Sequence, residues 1–378
     1  MNDTTGNSNL CRWGIMSTAT IGRKNWQAIK LSGNGVVAAV ASRSAASSSQ
    51  FIEECQSSVA FENAPRAVEG YDQLLAADDV DAVYIPLPTG MRKEWVIRAA
   101  EAGKHVMCEK PCACNAQDLA EMIDACKNNN VQFMDGVMYM HAQRLKKVRQ
   151  TLDRENGVGQ IKRIATQFSF CGDKEFQEGN IRTDSRLEPL GCLGDLGWYT
   201  IRFALWVMNY QMPKYVVGRM LTDLQRGDSP EAVPMEFEGE LHFDNGVTST
   251  FYNSFITGHQ QWAHISGTEG HVHIADFVLP YTGGIANFAL ARPEFTVNGC
   301  DFEMVENREQ FSIEEPGNSA TNAQETELFR NFGSLVLSGQ LEDHWPNVAL
   351  KTQQVMDACV KSSKDQSRLI DMSDLMVV

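Results

Sequence analysis

Cys11-Arg12-Trp13-Gly14-Ile15-Met16-Ser17-Thr18-Ala19-Thr20-Ile21-Gly22 begins as a short apolar run and passes through small residues. It then enters a helical spacing of apolar residues at Ile21, Trp26, Ile29 and Leu31. That order predicts a strand, a tight turn and a helix. A dinucleotide fingerprint places G-x-G-x-x-G at such a turn, where backbone N–H groups and the helix N-terminus meet a pyrophosphate. Here the three positions read Ser17, Ala19 and Gly22, so two glycines give way to the next smallest residues. An ordinary tight turn is the competing reading. If a dinucleotide binds, Ser17, Thr18, Ala19, Thr20 and Ile21 are its candidate contacts.

Working outward, Val36–Ala41 is a continuous apolar run suited to a strand buried on both faces. Helix near Ala45–Cys55, weak strand near Val59–Phe61, helix around Val68–Ala76 and strand Ala82–Ile85 follow. Then come helix Arg92–Ala102, strand His105–Cys108, helix Gln117–Lys127 and strand Val131–Met134. Strands separated by helices of this length imply right-handed βαβ units and a doubly wound parallel sheet. The α/β Rossmann domain is therefore expected over residues 10–140. Residues 141–378 read as a second, α+β domain on a large, mostly antiparallel open sheet. Met235–Phe243 and Val247–Phe255 alternate around Asp244-Asn245-Gly246, a strong hairpin signal. Helices are expected near Gly191–Met208, Gln324–Ser338 and Asn347–Ser362, the last ones packing back on the first domain. Gly172–Pro189 is charged and irregular, a surface loop or flap.

The 378 residues carry a net charge of −15, which argues against a nucleic-acid partner, since phosphate contacts need a basic face. No apolar run approaches a membrane span. Met1–Asn9 has neither a basic nor an apolar signal region, so ten cysteines are expected as reduced thiols in a cytoplasmic protein.

A fold that binds NAD offers Asp or Glu about 20 residues past the first turn, on the ribose 2′-hydroxyl. This chain has Ser42-Arg43-Ser44 there. Arg43 can pair with a 2′-phosphate that a carboxylate would repel, with Ser42 adding a hydroxyl. NADP is expected rather than NAD, unless Arg43 is only a solvated loop arginine.

Tyr84-Ile85-Pro86-Leu87-Pro88-Thr89, His105-Val106-Met107-Cys108-Glu109-Lys110-Pro111 and Gly191-Cys192-Leu193-Gly194-Asp195-Leu196-Gly197-Trp198-Tyr199 occur in order. Together they resemble the Gfo/Idh/MocA family of NAD(P)-dependent oxidoreductases over nearly the whole chain. The resembling subgroup holds glucose–fructose oxidoreductase, dihydrodiol dehydrogenases and NADP-dependent xylose dehydrogenases. It implies hydride transfer between a nicotinamide and a CH–OH group of a neutral sugar, polyol or cyclic diol. It further implies cofactor contacts at Pro86, Pro88, Thr89, Glu109 and Lys110. The family places Tyr or His at the position of Tyr199, the candidate base for the hydroxyl proton. Lys110 is the candidate cation favouring its phenolate; which of the two carries the proton stays open. Asp195, four residues before Tyr199 on one helix face, either binds a substrate hydroxyl, orients Lys110 or caps the helix. Tyr139 and His141 are candidate substrate contacts. Arg92 stands where some members have histidine. Glu109 is a candidate for turning the chain into Pro111.

Two other functions compete: a Gfo-like enzyme that keeps its nucleotide and shuttles hydride between two sugars, and a dinucleotide-binding sensor without turnover. Retention of Lys110 and Tyr199 favours an enzyme. No metal is expected, because Cys108, Cys112, Cys114 and His105 lack paired zinc spacing. Phe251-Tyr252 and Phe255-Ile256 put apolar residues on both faces of strands, which suggests a sheet-to-sheet homodimer or higher homo-oligomer.

Overall fold

The computed structural model describes residues 10–281, 284–316 and 320–374. It divides into two compact units, each described by itself.

The first unit alternates strands and helices: β1 (Cys11–Met16), α1 (Thr20–Ser32), β2 (Gly35–Ser42), α2 (Ala45–Ser58), β3 (Arg66–Glu69) and α3 (Tyr71–Leu75). It continues with β4 (Ala82–Ile85), α4 (Thr89–Glu101), β5 (His105–Cys108), α5 (Ala116–Asn128) and β6 (Phe133–Asp135), then a 3-10 turn at Met138–His141. The strands are all parallel, in the order β3-β2-β1-β4-β5-β6, so the chain runs outward from β1 in both directions. That is the doubly wound Rossmann sheet expected from the alternation.

One strand is misplaced by the sequence reading. Val59–Phe61 is not a strand; only Phe61 of the three is buried, packing on Trp26 at 5.1 Å, while Trp26 Nε1 donates to Val59 O. The edge strand lies further on, at Arg66–Glu69, and only a short helix, Tyr71–Leu75, follows it. A single buried residue, Val68, marks that strand, so period-2 alternation is barely visible there.

The second unit holds α6 (Gln143–Asp153), β7 (Ile161–Cys171), α7 (Lys174–Gly179), α8 (Gly191–Asp195) and α9 (Gly197–Val207). Then come β8 (Tyr215–Leu224), β9 (Val233–His242), β10 (Thr248–Ser254), β11 (Ile256–Gly267), β12 (His271–Ile274), β13 (Ile285–Asn298) and β14 (Asp301–Glu314). With β15 (Ile370–Asp371), these make nine strands, in the order β14-β13-β12-β11-β7-β10-β9-β8-β15. Only β10 and β7 pair in parallel. The Asn-Gly hairpin joins β9 to β10. In β9, Val233, Met235, Phe237 and Leu241 are buried, while Glu236, Glu238, Glu240 and His242 lie on the half-exposed face. Helices α8 and α9 pack on β9, β10 and β7. Phe251 points inward with the apolar set, whereas Tyr252 donates to Glu236 on the other face.

Two long helices follow, α10 (Gln324–Ser338) and α11 (His344–Lys364). α10 belongs with the first unit: Phe329 and Phe332 sit 5.1 Å from the ring of fully buried Trp13. Among the described residues, no helix is long and apolar enough to cross a membrane.

Candidate functional site

In the first unit, α1 begins at Ala19 with no side-chain cap and no acid in its first turn. Ser17 bends the chain at φ 143, and its Oγ accepts the Ala19 N–H at 2.9 Å. Gly22 packs closely, since a Cβ there would lie 3.2 Å from the Phe51 ring. Thr20 and Ile21 are exposed, Ile21 by 40%. A helix start without acid or cap, reached by a turn of small residues, fits a pyrophosphate. The Ser-x-Ala-x-x-Gly turn keeps small residues at the first two positions and glycine at the third.

At the end of β2, Ser42 Oγ donates to Ser44 O at 2.7 Å, and Ser44 caps α2 through the Ser47 N–H. Those hydroxyls shape the turn. Arg43 is exposed and takes part in none of the ion pairs among the described residues. A carboxylate that the sequence reading missed lies close by: Glu69 accepts the Ala45 N–H at 3.4 Å.

At the carboxyl ends of β4 and β5, Tyr84 donates to Glu109 Oε1 at 2.6 Å, and Asn25 Nδ2 donates to the Tyr84 hydroxyl at 2.6 Å. Glu109 Oε2 also accepts the Lys110 N–H at 3.2 Å, and the Lys110–Pro111 bond is cis. Burial, first, and then the Glu109 charge raise the Tyr84 phenol well above its ordinary value, so it stays a donor. Glu109 therefore anchors the turn that carries Lys110. Arg92 is buried and holds the same turn from α4: it donates to Leu87 O at 2.6 Å, to Thr89 Oγ1 at 3.0 Å and to Pro111 O. Pro86 is buried, and Pro88 stands at the N-cap of α4.

Tyr139 and His141 are buried. Asn331 approaches His141 Nδ1 at 2.8 Å, and Trp345 stacks on the imidazole at 4.4 Å. Both partners lie about 200 residues downstream, beyond any local sequence signal.

In the second unit, Asp195 ends α8 and Tyr199 lies in α9, so a break at Leu196 divides the single helix expected there. Tyr199 is 7% exposed and meets Phe168 edge-on at 5.5 Å. Asp195 accepts from Arg182 Nε at 2.8 Å. The Asp195 carboxylate raises the Arg182 guanidinium above its ordinary value, and Glu188 and Tyr199 act in the same direction. Arg182 was missed because it sits in the irregular stretch, thirteen residues before Asp195, with no periodicity linking them. That stretch is not a plain loop. It contains α7 and a 3-10 turn at Ile181–Thr183, and Arg226 ties it down through Asn180 O and Thr183 Oγ1.

The glycines of the motif serve packing. A Cβ on Gly191 (φ +46) would meet Pro234 O at 2.3 Å, so this glycine lets α8 touch β9. Arg202, one helical turn past Tyr199, is fully buried and donates to Thr352 at 2.7 Å. Among the described residues, no three His, Cys, Asp or Glu side chains converge as a metal site would require. Cys108 and Cys112 are buried free thiols, and burial pushes Cys112 well up.

The fold and the first-unit turn define an oxidoreductase with an NAD-binding Rossmann domain. Residues 11–137 match the oxidoreductase family with that fold, and residues 145–273 match the Gfo/Idh/MocA C-terminal domain. The chain belongs to the Gfo/Idh/MocA family. It is 30% identical to D-xylose 1-dehydrogenase (NADP(+)) 2 of Haloferax volcanii, over 69% of this chain and 74% of that protein. It is 27% identical to a dTDP-3,4-didehydro-2,6-dideoxy-alpha-D-glucose 3-reductase of Actinomadura kijaniata, over 95% and 97%. In fold it is similar to the crystal structure of a 3-ketoreductase from Actinomadura kijaniata (TM-score 0.76, 24% identity, 93% and 98% covered). Levoglucosan dehydrogenase is similar too (TM-score 0.77, 18% identity, 97% and 100% covered).

Proposed function

We propose that this chain is a cytoplasmic, NADP-linked dehydrogenase or reductase acting on a CH–OH group of a neutral sugar, polyol or cyclic diol. The observation that carries the cofactor preference is the end of β2, where an unpaired, exposed Arg43 occupies the place of a ribose-binding acid. Glu69 does not reverse it, because that carboxylate accepts an N–H from the start of α2. The uncapped start of α1 takes the pyrophosphate, with Ser17, Thr18, Ala19, Thr20 and Ile21 lining it. Pro86, Pro88 and Thr89 shape the neighbouring strand end, which the buried Arg92 keeps in place.

When bound, the nicotinamide accepts or donates the hydride. The chain itself handles the proton. Tyr199 and Lys110 are the assigned proton-handling residues: on oxidation the hydroxyl proton goes to the Tyr199 phenolate, with Lys110 the alternative carrier. Asp195 accepts from Arg182, whose guanidinium is raised first by that carboxylate and last by Tyr199. Of the named relatives, one is a dehydrogenase of the neutral sugar D-xylose and one a reductase of a dTDP-linked sugar. Tyr139 and His141 are the assigned substrate contacts. Two copies are proposed to pair through the half-exposed sheet face that carries Tyr252 and Glu236.

A screen of pentoses, hexoses, anhydrosugars and dihydrodiols, with NADP and NAD in turn, tests this reading by nicotinamide absorbance. Turnover with NADP, and NADP affinity weakened about 10–150-fold in Arg43→Ala with NAD unaffected, is expected from the loss of one charge-assisted pair. Equal affinity for the two cofactors in the parent protein would sink the NADP assignment. Absence of turnover on the whole panel would leave a dinucleotide-binding sensor.

A further inference from the structure

Strands β13 and β14 pair along their entire lengths, from Ile285 opposite Glu314 to Asn298 opposite Asp301. The sheet holds this hairpin over a far shorter span: β12 contacts β13 only at Ala289, Leu290 and Ala291. Residues 292–298 and their partners therefore run out as a two-stranded arm, about 23 Å long at a strand's rise per residue. Isolated two-stranded ribbons are marginal in water, so an arm of this length calls for something to pack against.

The register shows which face needs covering. Phe295 opposes Met304 and Val297 opposes Phe302, so all four share one face, with Pro293 next in line. They are 58%, 73%, 54% and 72% exposed. The opposite face carries Arg292, Glu294, Thr296, Glu303 and Asn307, with Val305 its one large apolar residue. The apolar stripe exposes on the order of 500 Å², at the upper end of what a monomer leaves in water.

The same register carries the stripe's face across the sheet. Ala291 opposes His271 and Ala289 opposes His273; His273 opposes His264, which opposes Ala165, then Thr250, Glu240 and Val217. The stripe thus lies on the half-exposed face of the sheet, not on the face packed by α8 and α9. A groove of about 190 Å³ opens on that face beside Val217, Glu240 and Thr250. A cavity of about 150 Å³ holds benzene, so this groove admits a phenyl ring. Arg163, on the same face, has no carboxylate partner among the described residues and donates to Thr250 Oγ1 at 3.2 Å. The arm offers Glu306, which stands opposite Pro293 on the stripe's own face and meets Arg308 at 3.8 Å.

We propose that the β13–β14 arm is a clasp for a second copy of this chain, laying its Phe295, Val297, Phe302 and Met304 stripe on the partner's open sheet face. The proposal rests on the homodimer reading above and assigns that dimer its gripping element. A two-fold pairing places both arms at once, and each stripe covers an equal area of the other copy. Two arms then bury about 2,000 Å², the size of a stable interface. One charge pair is available, Glu306 of the arm with Arg163, on a face that otherwise carries Glu236, Glu238 and Glu240.

Sedimentation velocity over a wide concentration range compares the full-length parent with Phe302→Glu/Met304→Glu. Both positions are exposed, so the substitutions spare the core. The parent is expected at twice the 42.1 kDa chain mass, and the variant to associate about 100-fold more weakly or worse. A variant that dimerises like the parent overturns the clasp and leaves the dimer standing. A parent that stays at 42.1 kDa at all concentrations overturns both. Hydrogen exchange on the unmodified protein guards against a misfolded variant. Amides of residues 294–305 should exchange slowly in the dimer and faster on dilution; rates independent of dilution overturn the clasp.

Discussion

In the second unit the proposed chemistry centres on three side chains, Tyr199, Asp195 and Arg182. Asp195 and Tyr199 were legible in the sequence because a helix brings residues four apart to one side. Arg182 was not, since only tertiary folding carries it to Asp195 at 2.8 Å. Asp195 first, then Glu188 and last Tyr199 hold the Arg182 guanidinium above its ordinary value, so removing Arg182 has a signed consequence for the proposed base. Tyr199→Phe is expected to lower turnover about 10²–10⁴-fold, the usual cost of a missing general base, with cofactor binding retained. Lys110→Met should act in the same direction. Arg182→Met should keep more activity, but without that cation the phenolate forms only at higher pH, so the rising limb of kcat/KM moves alkaline. A pH profile of the three variants on one substrate checks this; an unmoved limb in Arg182→Met would remove Arg182 from the proton path.

Elements were legible where their period was strong. β2 and the β9–β10 hairpin follow directly from a continuous apolar run and an Asn-Gly turn, because burial on two faces or one imposes those patterns. The edge strand β3 was misread at Val59–Phe61, since three apolar residues in a row suggest a strand although only Phe61 of them is buried. The break between α8 and α9 is another tertiary decision. Gly191 sits at φ +46 with Pro234 O where a Cβ would be, so α8 takes its course from contact with β9. Gly191→Ala is expected to cost about 1–3 kcal/mol, from positive φ and from overpacking against backbone that cannot give way. Urea unfolding of parent and variant measures it, and an unchanged midpoint would show that α8 can shift freely.

At the scale of the molecule, chain order and spatial grouping diverge. The first unit runs to His141 and takes back the helix α10, whose Phe329 packs on Trp13 at 5.1 Å and on Tyr84 at 5.6 Å. Tyr84 in turn donates to Glu109, so a helix near the C-terminus backs the turn bearing Lys110. Phe329→Ala should destabilise the first unit by about 3–5 kcal/mol, the range for a large aromatic removed from a filled core. Denaturant unfolding followed by tryptophan fluorescence reads this, and a loss under 1 kcal/mol would mean that the site had collapsed to fill the gap.

Legible in the sequence alone were the two fold classes, the turn proposed to bind a pyrophosphate, the missing ribose acid and the candidate proton carriers. Each of these is written in local periodicity or in spacing along one element. Tertiary structure alone decided that Arg182 answers Asp195, that Asn331 and Trp345 hold His141, and that Asn25 and Tyr84 steady Glu109. It also decided that β13 and β14 outrun their sheet. Those facts depend on which distant segments meet, and the hydrophobic pattern of a strand records that it has a buried face without recording what buries it.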